Sequence, residues 1–131
     1  MPRSSPKLAA AALRRFALRF PEAVEEFPWG ESAIKVRGKV FLFMGTDAEG
    51  LSLSAKLPHS SGVALMLPFA EPTAYGLGRS GWVTASFSPR ERVPLPLLQQ
   101  WIDESYRAVA PRGLVAGLPL LKWRSSRRRR T

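Results

Sequence analysis

The spacing of apolar positions changes several times along the chain, and each change marks an element. Over residues 7–20, Ala9, Leu13, Phe16 and Phe20 recur on one side of a 100° wheel, flanked by Ala12 and Ala17, with Lys7 and Arg14 opposite. This predicts an amphipathic helix after Pro6 that ends at Pro21, whose ring cannot continue the hydrogen-bond ladder. Residues 22–31 hold Glu22, Glu25 and Glu26, then Phe27-Pro28-Trp29-Gly30, with no clear period; an irregular acidic connection is expected there. From Ser32 the period is two. Ile34 and Val36 alternate with Lys35 and Arg37, Gly38 marks a tight turn, and Val40 to Met44 form a more fully buried strand. Thr46 to Gly50 reads as the next turn, and Leu51, Leu53, Ala55 and Leu57 face one way along the strand that follows.

The stretch 58–81 carries weaker patterning. A short helix fits Ser61 to Leu67, and Pro68, Pro72, Gly76, Gly78 and Gly81 make the next segment a loop. A further strand, Trp82 to Phe87, points Val83, Ala85 and Phe87 inward. Residues 95–110 form a second amphipathic helix, with Leu98, Ile102, Ser105 and Val109 as its core stripe, Trp101 and Tyr106 bordering it, and Asp103 and Arg107 as an outer i,i+4 pair. The order helix, antiparallel strands, helix predicts an α+β fold: an antiparallel β-sheet with the N- and C-terminal helices packed on one face. The other face is left open and presents Lys35, Arg37, Lys56, Trp82 and Thr84.

Composition sharpens this picture at a few points. A chain of 131 residues is the size of one domain, placed here at residues 1–112, with 113–131 as a C-terminal extension. The absence of cysteine excludes disulfides, cysteine-ligated zinc and thiol catalysis, and fits a cytoplasmic setting. No apolar run approaches the ~20 residues of a membrane span, so no membrane partner is expected. Net charge is +10, but +7 of it lies in residues 112–131, which contain no acid. Most of the basicity therefore belongs to a tail ending in Arg127, Arg128, Arg129 and Arg130, and the high pI says little about the folded part.

Candidate chemistry is sparse. The single histidine, His59, sits in a loop without a recognisable orienting carboxylate or oxyanion site. Glu22, Glu25 and Glu26 are the one acidic cluster, read as a solvated connection rather than a hard-cation site. Gly76, Gly78 and Gly81 match Gly-x-Gly-x-x-Gly, but a strand follows where a dinucleotide fold needs a helix. The expectation is a protein that is not an enzyme and takes no cofactor or metal. Lys35, Arg37 and Lys39 crowd one hairpin, while Arg79 stands beside Trp82 at a loop–strand junction. Arg90 and Arg92 occupy the turn before the last helix. Such basic loop tips could straddle phosphates while an aromatic contacts sugar or base, and the alternative is a solvated sheet face whose Lys and Arg keep the edges soluble.

Four segments taken together resemble the MmcQ/YjbR family: Phe27-Pro28-Trp29-Gly30, Lys35-Val36-Arg37-Gly38-Lys39-Val40-Phe41, Tyr75 to Val83, and Trp101-Ile102-Asp103-Glu104-Ser105-Tyr106. The resemblance runs in order from about residue 7 to 110. It implies a frataxin-like α-β sandwich and DNA binding through a double wing of sheet hairpins. Many members carry Asn-Lys-x-His-Trp where this chain has Gly78-Arg79-Ser80-Gly81-Trp82, so the base and the tryptophan are kept and the Asn and His are not. Frataxins themselves hold iron through an acidic first helix, whereas the first helix here bears Lys7, Arg14, Arg15 and Arg19 and would repel Fe²⁺. The resulting expectation is a nucleic-acid module, for DNA, built on Lys35, Arg37, Lys39, Arg79, Trp82 and Arg127 to Arg130. The alternative is a module that docks a protein partner on the open sheet face.

Overall fold

The computed structural model describes residues 3–27 and 31–119. After a two-residue strand, β1 (Arg3–Ser4), helix α1 (Pro6–Leu18) starts with Ser5 as its cap, the Ser5 hydroxyl accepting from the Leu8 N–H at 3.4 Å. Four strands follow: β2 (Ala23–Glu26), β3 (Ser32–Val36), β4 (Lys39–Asp47) and β5 (Gly50–Lys56). A short helix α2 (Ser61–Ala64) leads to β6 (Ala70–Pro72), a 3₁₀ turn (Leu77–Ser80) and β7 (Trp82–Phe87). β8 (Val93–Pro94), α3 (Leu95–Val109) and α4 (Arg112–Ala116) complete the described chain.

Among the described residues, six strands make one antiparallel sheet in the order β2-β3-β4-β5-β7-β6, while β1 and β8 pair separately. The class and the layering are those the sequence predicts. Ile34, Leu42, Met44, Leu53, Ala55, Val83 and Ala85 point to one side and meet Ala9, Leu13 and Ala17 of α1 and Leu98, Trp101 and Ile102 of α3. The two helices run parallel. The β1–β8 ladder joins the chain just before each of them, and Phe20, just past α1, stacks on Tyr106 near the end of α3 with ring centroids 4.6 Å apart.

Two expectations need correction. Residues 23–26 are an edge strand rather than part of an irregular connection. Glu25 occupies an inward position of β2 that an apolar residue would normally hold, which hides the alternation; Arg14 of α1 and the Ser32 hydroxyl supply its partners at 2.6–2.9 Å. Residues 70–72, expected in a loop, hydrogen-bond to β7 as the opposite edge. The start of the extension after 112, whose path the sequence leaves open, folds back: Leu114 and Leu118 pack against the core, and the Arg107 guanidinium donates to the Pro119 carbonyl at 2.5 Å.

The sheet has two dissimilar ends. One, the hairpin end, carries the β3–β4 turn, the last residue of β5 and the first of β7, as the pairs Val36–Lys39 and Lys56–Trp82 show. The far end carries the Asp47–Gly50 turn. At the hairpin end α3 reaches into the sheet. The buried Ser105 hydroxyl donates to the Phe41 carbonyl at 2.6 Å and accepts from the Lys56 N–H at 2.9 Å, bridging β4 and β5 where their direct ladder stops.

Candidate nucleic-acid interface

The β3–β4 turn is a two-residue loop with positive φ at both positions, 52° at Arg37 and 83° at Gly38. That is the type I′ geometry favoured by the right-handed twist of the flanking strands. It projects Arg37 and Lys39 from the end of the sheet. Arg37 is already engaged, since its guanidinium grips both oxygens of Glu22 at 2.5 and 2.9 Å and holds that carboxyl below the usual range. Lys35, on the outer face of β3, pairs with Glu26 of β2 at 2.9 Å. Lys39 is exposed and has no carboxylate partner among the described residues.

Arg79 lies in the 3₁₀ turn just before β7, on the same end, and is likewise exposed without a carboxylate partner among the described residues. Lys56, half-buried on the outer face opposite Trp82, completes the group. Three carboxylates near this end are already bonded, while Glu71 on β6 is exposed and has no ion pair among the described residues. Glu22 holds Arg37 and Asp103 holds Arg107. Glu104 accepts from the backbone N–H groups of His59 and Ser60 at 2.8 and 3.1 Å, and from the Ser60 hydroxyl at 2.6 Å. His59 is exposed, and its loop is fastened to α3 through Glu104.

The far end is mixed in charge, with Arg90 and Arg92 exposed on either side of Glu91. Glu31, Asp47, Glu49 and Glu91 border an open cleft of about 590 Å³ there, and none of the four has a cation within ion-pair distance among the described residues. Glu31 lies across Gly45 on the outer face, 3.3 Å from where a Cβ would stand, so that face is partly covered. Among the described residues no group of three His, Cys, Asp or Glu side chains is arranged to hold a metal ion.

Trp82 sits differently from its expected place. It is on the outer face, as the alternation requires, but only 7 % exposed. Its indole crosses β5 to meet Phe43 of β4, centroids 5.6 Å apart, and the small, 8 %-exposed Ser54 lies between them in the sheet register. Period-two patterning assigns a side chain to a face; it does not say what else lies on that face. Beside the indole, Ser54, Thr84 and Thr73 form a hydroxyl chain over β5, β7 and the residue after β6, with oxygens 2.7 and 2.9 Å apart. The aromatic that does stand free at the hairpin end is Tyr75, wholly exposed. Sequence reasoning passes over it because a tyrosine in a Gly- and Pro-rich loop has no period to mark it. Arg127, Arg128, Arg129 and Arg130 lie outside the described residues.

With this geometry in place, the relatives can be identified. The YjbR family model matches residues 18–108. The chain belongs to the YjbR family. A DUF419-domain protein from Deinococcus radiodurans is similar in structure, with a TM-score of 0.63 at 22% identity, covering 90% of this chain and 86% of its own. A protein from Pseudomonas syringae superposes with a TM-score of 0.57 at 14% identity, over 76% of this chain and 97% of its own. At these identities the likeness establishes the YjbR fold and nothing about ligands. No functionally curated protein matches the chain in sequence.

Proposed function

We propose that this protein binds nucleic acid without catalysis, by the hairpin end of its sheet. The observation that carries this is the imbalance at that end: Lys39, Lys56 and Arg79 have no carboxylate partner among the described residues, while Glu22, Asp103 and Glu104 are bonded within the protein. Positive charge is therefore available to a polyanion where it is not already neutralised. Lys35 and Arg37 join only by exchanging a carboxylate for a phosphate, a small cost because solvent screens exposed ion pairs and they add little to stability. Arg127 to Arg130 add sequence-independent affinity through counterion release.

The test is anisotropy of a labelled duplex across a salt series, using the full chain with Arg127 to Arg130 changed to Gln. That chain should still bind with a steep salt slope. Adding Lys39→Ala, Lys56→Ala and Arg79→Ala should flatten the log–log slope by about 0.9 for each phosphate that is no longer neutralised. Loss of all binding with the tail charges alone, or an unchanged slope in the triple variant, would remove the hairpin end as the site.

A protein partner remains the second reading, and one observation favours it. Val63 and Met66, around α2, are 73 % and 82 % exposed, with Leu65 partly so. Such a surface suits a docking partner better than the partly covered sheet face, and binding there would depend little on salt.

A further inference from the structure

We infer that Tyr75 is a stacking platform for an unpaired base, so that the hairpin end, while able to hold a duplex by its phosphates, prefers a single strand; this rests on the nucleic-acid function proposed above. Three observations combine. The ring is 100 % exposed; of the other described aromatics only Phe27, at the far end and 63 % exposed, is not buried or half-buried. The backbone beneath it is held in the left-handed region at φ 61°, an unfavourable place for a bulky side chain unless its surroundings impose it. They do impose it here. Thr73 N–H donates to the Trp82 carbonyl at 3.1 Å, Gly78 N–H to Thr73 at 3.0 Å, Leu77 N–H to Ala74 at 3.3 Å and Arg79 N–H to Gly76 at 3.2 Å. The loop is thus fastened on both sides of the tyrosine, and the ring is presented on a braced support. Third, Arg79 follows four residues on, in the 3₁₀ turn that the same loop enters, so an exposed guanidinium for a phosphate and a free ring for a base stand on one braced loop.

Stacking on a pre-held aromatic costs little ordering and accepts any base, whereas a base inside a duplex has its faces already covered. Backbone contacts to Lys39 and Lys56 suit either form; the free ring distinguishes them. A residue serving only the fold would not be a tyrosine here, because the ring touches no core and glycine would relieve the backbone.

The experiment uses the full chain and three fluorescein-labelled probes: a dT 12-mer, a 12-mer of abasic sites with the same phosphates, and a 12-base-pair duplex. Wild type should bind the dT strand more tightly than the abasic one. Tyr75→Ala should weaken the dT complex roughly 5- to 150-fold and leave the abasic complex and the salt slope unchanged. Tyr75→Phe should restore dT binding, and Tyr75→Gly should lose it while melting no lower than wild type. Equal affinities of wild type and Tyr75→Ala for the dT strand, or equal losses on both strands, would overturn the stacking role while leaving polyanion binding intact. Failure of wild type to bind any of the three probes would instead remove the parent proposal.

Discussion

Ser105 shows how much one hydroxyl can decide. It lies on the core stripe of α3, is fully buried, and uses donor and acceptor together to join Phe41 and Lys56 across two strands. Replacing it with Ala leaves a buried N–H and a buried carbonyl without partners, a loss of about 1–3 kcal/mol. Urea unfolding of Ser105→Ala should show that drop with an unchanged m-value; a difference below a few tenths of a kcal/mol would mean that water enters to replace the hydroxyl. A serine among Leu98, Ile102 and Val109 is legible in sequence as a buried polar group, though its partners are not, because they lie 64 and 49 residues away. Trp82 is the reverse case: its face is legible and its burial is not, since Phe43 is brought beside it only by the sheet register. Tyr75 leaves no trace in periodicity at all.

Among the elements, β2 depends most on a charge. Glu25 faces inward with a side chain only 8 % exposed, and Arg14 and Ser32 complete it, so the pair ties α1 to the sheet edge. The Arg14 guanidinium, with a lesser contribution from Ser32, holds the Glu25 carboxyl below its ordinary value of 4.5 despite the opposing effect of burial. A carboxyl whose folded pKa is depressed stabilises the protein fully above its unfolded pKa, and that stability fades as the pH falls through the folded value. The stability difference between wild type and Glu25→Gln should therefore be constant from pH 7 to about 5 and shrink below about 4.5, followed by denaturant melts at each pH. A difference that persisted undiminished to pH 3 would show that ionisation of Glu25 is not what holds the strand. Strands whose inward residues are apolar, such as β5 and β7, are readable from alternation. β2 is not, because a salt bridge fills its inward position.

At the scale of the whole molecule, acids differ by end: Glu22, Asp103 and Glu104 near the hairpin end are bonded, whereas the four around the far cleft have no ion pair among the described residues, although Arg90 and Arg92 stand exposed beside Glu91. Counting along the sequence locates the excess charge in the tail and cannot foresee this second division, because it depends on which acids find a base in three dimensions. Glu22, Glu25 and Glu26 read as one acidic cluster along the chain, yet each is bonded to a different cation from a different element. The limit of the folded body is hard to read for a related reason. A five-residue helix such as α4 is too short to show a period, and only the packing of Leu114 and Leu118 reveals that the body of the protein continues past residue 112.

The parallel helix pair has a consequence for how the protein opens. The start of α1 is tied to the start of α3 by the β1–β8 ladder, and its end is tied by the Phe20–Tyr106 stack and by the Tyr106 hydroxyl donating to the Pro21 carbonyl at 2.8 Å. A first helix commonly frays from the chain terminus inward, and so exchanges its amide protons faster than the core. Here fraying has to break a clamp at whichever end it begins. Amides from Ala9 to Ala17 should accordingly exchange deuterium with the same opening free energy as those of β4 and β5, so that the protein's first helix belongs to its last cooperative unit to unfold.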